Sequence, residues 1–350
     1  MKDIARDLGI SIITVSKALR NHVDISEKTR KRVMDRVKEL NYTPNLAARS
    51  LVTGRTYLVG LVVPDLLHTF FAQIAKSLSA ALLKKGYCLI ISTSDEDPEL
   101  EERTVNRLLA RRLDALIIAS ACTSPAMFER IRKDGPPVVL VDRRFQGHDA
   151  NFVGVDDELV GKLATEHLIG IGCKRIAHLR GPETSPGIGR HSGYLKTLAR
   201  HKMKPLPGYV SAQTMVDVHS SESGAEMTKK LLSLSPRPDG IFSYNDPMAI
   251  GAIHAILDAG LRVPEDVAVI GSGNLYYDTE LRIPLSSIDQ QTEEIGERTA
   301  RLTLALLEAK TTSRTRTVII EPRLIVRAST QRIPGAATVS KKSATKLASK

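Results

Sequence analysis

The residues best suited to chemistry at an exposed surface lie in a short segment near the start of the chain. Ile12 and Ile13 form an adjacent apolar pair, and Lys17 follows within the same segment. If this segment enters the major groove of duplex DNA, the two isoleucines can contact thymine methyl groups, which only that groove displays. Lys17 can donate to the O6 and N7 atoms of guanine. Two neighbouring hydroxyl groups are suited to phosphate oxygens, those of Thr14 and Ser16. The alternative is that one isoleucine simply packs into a core.

Three predicted helices must hold these residues. Apolar residues recur at helical spacing over 2–8, and Gly9 then breaks the helix. Ser11 is suited to cap a second helix over 12–19, whose inward face carries Val15, Ala18 and Leu19. Ser26 is suited to cap a third helix, whose outer face carries five basic residues, Lys28, Arg30, Lys31, Arg32 and Arg36. Two short helices joined by a glycine-containing turn predict a helix-turn-helix.

The segment after the third helix predicts a marginal fourth one. Residues 41–44 end in proline and predict an extended joint, since the residue before a proline avoids the helical region. Residues 45–51 then have the pattern of a short helix capped by Asn45. Seven residues are too few for a stable isolated helix, so we expect it to form only against a partner. Leu51 is an apolar residue suited to wedging between base steps in a minor groove.

Net charge separates the chain into three parts. The formal charge of the whole chain is +11; residues 1–57 contribute +6 and residues 332–350 contribute +5, while the rest carry 33 charges of each sign. A basic head on a neutral body is typical of a protein that binds nucleic acid. The absence of tryptophan and an aromatic content of 4% argue against stacking platforms for single strands. We expect residues 332–350 to be a disordered, solvated tail.

The body of the chain alternates strand-like and helical patterns. Apolar runs occur at 58–63, 88–92, 115–118, 138–141, 175–179, 240–242 and 267–270, with amphipathic stretches between them. This rhythm predicts an α/β body of two doubly wound subdomains, with a ligand cleft between them. No apolar stretch approaches the roughly 18 residues of a membrane span, the N-terminus lacks a secretory pattern, and the three cysteines form no metal or disulfide pattern. We therefore expect a cytoplasmic location.

Several runs in fixed register resemble one family. In the first 51 residues they are Asp3-Ile4-Ala5, Gly9-Ile10-Ser11, residues 14–21, Leu40-Asn41-Tyr42-x-Pro44-Asn45 and Ala47-Ala48-Arg49-Ser50-Leu51. In the body they include Phe70-Phe71-Ala72-x-Ile74, Arg190-x-x-Gly193-Tyr194, Phe242-x-x-Asn245-Asp246 and Ile288-x-Gln290. Residues 2 to about 331 resemble the lactose-repressor/galactose-repressor (LacI/GalR) family, whose body is similar to periplasmic sugar-binding proteins.

The resemblance implies a transcription regulator, most often a repressor, that binds a near-palindromic DNA operator as a homodimer under the control of a sugar or related metabolite. It implies four parts: a helix-turn-helix domain (1–44), a hinge helix and linker (45–57), an effector-binding and dimerisation domain (58–331) with crossings near 156, 287 and 320, and the tail (332–350). The implied DNA-binding residues are Ser11, Ile12, Ile13, Thr14, Ser16, Lys17, Asn21, Tyr42, Asn45, Ala48, Arg49 and Leu51. The implied effector-binding residues are Phe70, Phe71, Arg190, Phe242, Asn245 and Gln290.

This chain departs from the family pattern in four places. Lys17 stands where arginine is usual, which weakens a bidentate guanine contact. Met1 falls just after the usual cap of the first helix, so either the chain starts upstream or this cap is absent. Gly273 stands where an aspartate commonly binds sugar hydroxyls, and the stretch 183–189 is about one residue short. Loss of an anion in the pocket leads to the hypothesis of an anionic effector.

Two other functions compete with this prediction. Gly187-x-Gly189-x-x-x-Gly193 resembles a dinucleotide loop, but its spacing differs from G-x-G-x-x-G and no acidic residue ends the next strand. The other alternative, a solute-binding receptor for transport, is disfavoured by the N-terminal helix-turn-helix. We expect no enzyme activity, no cofactor and no metal.

Overall fold

The computed structural model describes residues 1–19, 21–42, 50, 54–212, 219–309 and 314–332. The chain separates into two compact units, Met1–Tyr57 and Leu58–Lys350. Of the predicted hinge helix, only Ser50 is among the described residues, so the predictions for Asn45, Ala48, Arg49 and Leu51 lie outside them, as does the tail beyond 332. In the part of the chain that is described, no helix is long and apolar enough to cross a membrane.

The first unit, the headpiece, contains three described helices: α1 (Lys2–Leu8), α2 (Ile12–Leu19) and α3 (Glu27–Glu39). Gly9 ends α1 in the left-handed region, with φ of 63°, as its lack of a side chain allows. Ser26 caps α3 by accepting a hydrogen bond from the backbone N–H of Thr29. The buried core residues of the headpiece come from all three helices, Ile4, Ala5, Val15, Ala18 and Val33.

The second unit, the body, contains two six-stranded sheets. The first is built from β1 (Leu58–Val63), β2 (Cys88–Thr93), β3 (Ala115–Ile118), β4 (Val138–Val141), β5 (Asn151–Val155) and β11 (Thr317–Ile320). The second is built from β6 (Ile176–Arg180), β7 (Val210–Ala212), β8 (Gly240–Ser243), β9 (Ala268–Gly273), β10 (Ser286–Asp289) and β12 (Arg323–Ile325). Their orders are β11-β5-β4-β3-β1-β2 and β12-β10-β9-β8-β6-β7. All described pairs are parallel except β10 with β12.

Within the described residues of the body, eight α-helices connect and cover these strands. They are α4 (Thr69–Leu83), α5 (Pro98–Leu109), α6 (Ala126–Asp134), α7 (Asp157–Gly170), α8 (Ser185–Arg200), α9 (Ser220–Leu232), α10 (Asp246–Asp258) and α11 (Thr292–Glu308). The apolar runs of β1, β3 and β4 are nearly continuous and buried, as expected for parallel strands covered on both faces. The predicted architecture, an all-α headpiece and an α/β body of two subdomains, is confirmed.

The chain passes between the two sheets three times. It leaves the first sheet after β5 and enters the second through α7; it returns from β10 through α11 to β11, and then crosses directly to β12. Each subdomain is therefore assembled from separate stretches of sequence, and loops from both meet where the crossings lie.

Candidate functional site

The first candidate site is the outer face of α2. Ser11 caps this helix, because its Oγ accepts a hydrogen bond from the Thr14 N–H at 3.0 Å. Val15 is fully buried, whereas Ile12 is 44% exposed and Ile13 is 68% exposed. Neither isoleucine belongs to the buried headpiece core. The alternative that one of them packs inward is wrong, and the first turn of α2 presents two apolar side chains to solvent.

Lys17 lies on the same helix but is engaged within the headpiece. Its Nζ lies 2.5 Å from Oδ2 of Asp24, and the His22 ring Nδ1 lies 2.7 Å from Oδ1 of the same carboxylate. Hydrogen bonding from Lys17 lowers the pKa of Asp24, against the opposing effect of burial and with further lowering by His22. Sequence reasoning predicted Lys17 as a free donor and missed this carboxylate.

The other predicted headpiece residues have structural contacts of their own. Asn21 is exposed, and its φ of 56° reverses the chain after α2. Tyr42 packs against the headpiece core and is half-buried. Ser16 and Thr14 are half-buried on α2. Of the six predicted residues on α2 and its cap, three are exposed, Ser11, Ile12 and Ile13, and three are half-buried, Thr14, Ser16 and Lys17.

Three of the basic residues of α3 bind the headpiece itself. Arg36 forms an ion pair with Asp7, Arg32 donates to the Leu8 carbonyl at 3.2 Å, and Arg30 donates to the His22 carbonyl at 3.1 Å. These arginines hold the ends of the helices together, so part of the headpiece's positive charge is structural.

The second candidate site is a cavity where the two subdomains of the body meet. Five of the six predicted effector residues line it, Phe70, Phe71, Arg190, Asn245 and Gln290. The phenylalanines come from the first turn of α4, Arg190 from α8, Asn245 from the cap of α10 and Gln290 from the end of β10. The cavity has a volume of about 20 Å³, which is room for only one or two water molecules. This volume is too small to hold a metabolite.

Arg190 is the centre of the polar network in this cavity. Its Nε donates to Oδ1 of Asp157 at 3.0 Å, one terminal nitrogen donates to the Tyr244 carbonyl at 2.7 Å, and the other donates to Oε1 of Gln290 at 2.9 Å. The guanidinium also stacks on the Tyr244 ring, 4.7 Å from its centroid. Gln290 in turn donates to Oγ of Ser272 at 3.3 Å. Arg190 is 3% exposed, and its guanidinium group is fixed by hydrogen bonds to Asp157, Tyr244 and Gln290.

Asn245 connects the cavity to the opposite subdomain. Its Oδ1 caps α10 by accepting from the Met248 N–H at 2.9 Å, which leaves the amide nitrogen facing His68 at 3.4 Å. Burial lowers the pKa of His68 to about 4, with help from the nearby positive charges of Arg143 and Arg190. His68 is therefore neutral near pH 7 and can either donate or accept a hydrogen bond.

Phe242 does not line this cavity, contrary to the prediction. Its ring is fully buried and stacks on His178 with 4.5 Å between centroids. Because side chains alternate along a strand, Phe242 faces the side of β8 that packs on His178, while Tyr244 and Asn245 follow where the strand ends. The resemblance placed the residue near the cleft, but the pleat of β8 turns it into the core.

Sequence reasoning missed five residues that line the cavity, His68, Asp142, Arg143, Tyr244 and Ser272. A signal for four of them was available. Asp142 and Arg143 directly follow β4, Tyr244 follows β8, and Ser272 lies near the end of β9. Ligands of open α/β sheets bind outside the carboxyl ends of the strands, so polar residues at those positions are candidates.

Both cavity arginines are already paired with carboxylates. Arg143 donates to the two oxygens of Glu96 at 2.6 and 2.7 Å, and Arg190 is paired with Asp157. Burial raises the pKa of Asp157 to about 7, although Arg190 opposes that shift. Asp142 adds a further carboxylate to the wall. Each of the two arginines in the described lining therefore has a carboxyl partner.

Gly273 accommodates a buried acid instead of carrying one. A Cβ atom at this position would lie 2.6 Å from Oδ2 of Asp246. Asp246 is fully buried and accepts a hydrogen bond from Ser287 at 2.6 Å. Gly273 is therefore required by packing, and the substituted position lies beside the cavity, whose described lining residues do not include it.

Among the described residues, no three metal-ligating side chains cluster. The glycines of the dinucleotide-like loop all lie inside α8 or at its start and serve close packing: a Cβ atom on Gly193 would lie 2.1 Å from the Glu158 carbonyl oxygen.

Comparison with known proteins identifies the families to which the two units are similar. Residues 1–45 match the bacterial regulatory proteins of the lacI family, and residues 165–330 match a periplasmic binding protein-like domain. Catabolite control protein A of Priestia megaterium is 30% identical over 311 residues, which cover 88% of this chain and 92% of that protein. The chain belongs to the lacI family. It is therefore a DNA-binding transcription regulator, and the family consists of such regulators rather than enzymes.

Solved structures show how far the likeness to other lacI-family proteins extends. The lac repressor dimer bound to operator and the anti-inducer ONPF has a TM-score of 0.82 at 26% identity, and the match covers 94% of this chain and 98% of that one. The complex of the transcriptional regulator CelR with cellobiose has a TM-score of 0.71 at 28% identity, over 93% and 98% of the two chains. The likeness spans headpiece and body together.

Proposed function

We propose that this lacI-family protein is a homodimeric, cytoplasmic repressor that releases or binds its operator according to which effector occupies the cavity around Arg190. The convergence of Phe70, Phe71, Arg190, Asn245 and Gln290 on one cavity carries this proposal. These residues come from four separate stretches of sequence, and both subdomains contribute. A ligand held there changes the relative free energies of the open and closed body.

The effector we propose is neutral and rich in hydroxyl groups. The lining offers the Asp142 carboxylate, the Asn245 amide and the neutral His68 imidazole as hydrogen-bonding partners. The faces of Phe70 and Phe71 suit the apolar face of a sugar ring. Because Arg143 and Arg190 are already paired with carboxyl groups, a phosphate or carboxylate on the ligand would gain little binding energy from them. A sugar or a related metabolite fits this wall, and the solved CelR complex holds cellobiose.

The DNA-binding surface we propose is the exposed side of α2. Ile12 and Ile13 face solvent in the first turn of α2, which is where a helix-turn-helix meets base edges. Asn45, Ala48, Arg49 and Leu51 are assigned to the minor groove on the family resemblance alone. The same resemblance supports the four-part division at 44, 57 and 331, and we propose no catalytic activity for any part.

A ligand-response experiment tests this function. A duplex is first selected from random DNA by the full-length protein, and its affinity is then measured by fluorescence anisotropy while neutral sugars are screened by thermal shift. Arg190→Lys keeps the charge beside Asp157 but loses the planar fork; Arg200→Lys changes an exposed residue of the same helix. We expect Arg190→Lys to abolish the effect of the sugar on DNA affinity and Arg200→Lys to retain it. Failure to select any duplex, or a normal response in Arg190→Lys, would contradict the proposal.

A further inference from the structure

The loop after α2 folds back onto the last turn of that helix. Asn21 adopts a left-handed conformation with φ of 56°. The N–H of His22 then donates to the carbonyl of Lys17 at 3.1 Å. These backbone features, together with the hydrogen bond from Arg30 to the His22 carbonyl, bring Asp24 against the side chain of Lys17.

The carboxylate of Asp24 has a partner on each oxygen. Oδ2 lies 2.5 Å from Nζ of Lys17, and Oδ1 lies 2.7 Å from Nδ1 of His22. All three side chains remain partly exposed, at 36% for Lys17, 45% for Asp24 and 53% for His22. A nucleic acid bound to α2 can therefore reach Lys17 and Asp24, while hydrogen bonds from Lys17 and His22 fix the position of the Asp24 carboxylate.

A lysine without such a partner is a mobile point charge. It moves on a flexible stem and binds whichever phosphate is nearest, and such contacts raise affinity without reading sequence. An ammonium group has three donors. When Asp24 accepts one of these hydrogen bonds, the ammonium group keeps two donors, and their direction is fixed. The negative charge of Asp24 also repels phosphate oxygens that approach Lys17.

We propose that Asp24 is a specificity-determining residue of DNA binding, which holds Lys17 as a directed donor to base edges and keeps it off the phosphates. The inference rests on the proposed role of α2. Asp24 lowers total affinity for DNA and lowers affinity for unrelated sequence more than affinity for the operator. His22 is a positioning residue, since it fixes the other oxygen of the carboxylate.

The test compares two variants that remove one negative charge from the headpiece. Asp24→Asn removes the partner of Lys17, and Asp35→Asn removes an exposed charge on α3. Both are measured in the full-length protein against the duplex that wild type selects and against a scrambled duplex of equal length, at one salt concentration. We expect Asp24→Asn to reduce the ratio of specific to non-specific affinity by roughly tenfold for a dimer with two headpieces. Asp35→Asn should raise both affinities similarly and leave the ratio unchanged.

A double-mutant cycle with Lys17→Met separates positioning from charge. If Lys17 carries the effect, adding Asp24→Asn to Lys17→Met leaves the ratio unchanged. NMR titration of the Asp24 carboxyl group gives a readout without DNA: its pKa should rise in Lys17→Met. An Asp24→Asn variant that behaves like Asp35→Asn, or an effect that persists in Lys17→Met, overturns the inference. If the wild-type protein shows no sequence preference at all, the proposed function fails instead.

Discussion

The two candidate sites differ in how their side chains are held. In the headpiece, Ile12 and Ile13 stand exposed on one short helix, and only the residues behind them are buried. In the body, Arg190 is buried and held by partners from three other segments of the chain. A surface site of the first kind can change its binding preference without affecting the fold. In a site of the second kind, recognition and stability depend on the same contacts.

The largest effect expected from this difference follows removal of the buried guanidinium. Arg190→Ala leaves the Asp157 carboxylate, the Tyr244 carbonyl and the Gln290 amide without their donor. Breaking one partner of a buried ion pair typically costs about 3–5 kcal/mol. Urea unfolding of the body within the full-length protein should show that Arg190→Ala lowers the free energy of unfolding by this amount. Arg200→Ala should leave the free energy of unfolding almost unchanged. A loss below about 1 kcal/mol for Arg190→Ala would mean that the network does not hold the fold.

A slightly smaller cost is expected from the backbone behind the same arginine. A Cβ atom on Gly161 would lie 2.0 Å from the Arg190 carbonyl oxygen, whereas one on Gly170, in the same helix, meets nothing within 4 Å. Gly161→Ala should destabilise the body by about 2–3 kcal/mol through overpacking, and Gly170→Ala should be neutral or slightly stabilising. Thermal unfolding of the two variants side by side measures the difference in stability. Equal melting temperatures would show that the packing of α7 against α8 tolerates a methyl group at Gly161.

Two carboxyl groups, one in each unit, should contribute pH dependences of stability with opposite signs. In the body, burial and the neighbouring Asp246 raise the pKa of Asp278 to about 9. The folded state therefore keeps a proton that the unfolded chain releases above about pH 4, so this stabilisation declines as pH rises toward 9. In the headpiece, hydrogen bonding from Arg36 lowers the pKa of Asp7, against the opposing effect of burial, so that stabilisation is lost as pH falls below about 4.

Asp278→Asn isolates the contribution of the Asp278 carboxyl group to the pH dependence of stability. The amide keeps a donor toward Asp246 but does not titrate. The difference in free energy of unfolding between wild type and this variant should change by on the order of 1 kcal/mol per pH unit between pH 5 and 8. Urea unfolding at several pH values measures it, and parallel curves for the two proteins would rule out a protonated Asp278.

The smallest effect on stability is expected on the exposed face of α2. Ile13→Ala should change the stability of the headpiece by no more than about 0.5 kcal/mol, whereas Val15→Ala, two residues along, should cost about 1–3 kcal/mol because Val15 is fully buried. Hydrogen exchange of the α1 and α3 amides in the full-length protein reports both. A loss in Ile13→Ala equal to that in Val15→Ala would place Ile13 in the core after all.

The sequence predicts most of the parallel strands because their apolar runs are nearly continuous. The predicted runs 58–63, 115–118 and 138–141 coincide with β1, β3 and β4. Sequence reasoning misses β10, which contains Ser286 and Ser287. Both serines are fully buried, and their hydroxyl groups bind Thr330 and Asp246. A polar strand becomes a core strand only through partners that lie far away in the sequence.

The same distinction between local and distant partners governs prediction of the sites. The cap at Ser11 and the exposure of Ile12 and Ile13 follow from helical spacing within ten residues. The predictions for the cavity came from family resemblance; five of the six predicted residues line it, and Phe242 does not. Asp24 as partner of Lys17 depends on a turn whose path the composition does not determine.

Removal of thymine methyl groups tests the central claim most directly. In the duplex selected by the full-length protein, each thymine is replaced in turn by deoxyuridine, which lacks only the C5 methyl group, and the affinity of wild type and of an Ile12→Ala/Ile13→Ala variant is measured. The account predicts that wild type loses affinity at one or two positions in each half-site and that the variant does not respond to the same replacements. Equal sensitivity of wild type and variant, or no loss at any thymine, would contradict the claim that the exposed face of α2 reads DNA.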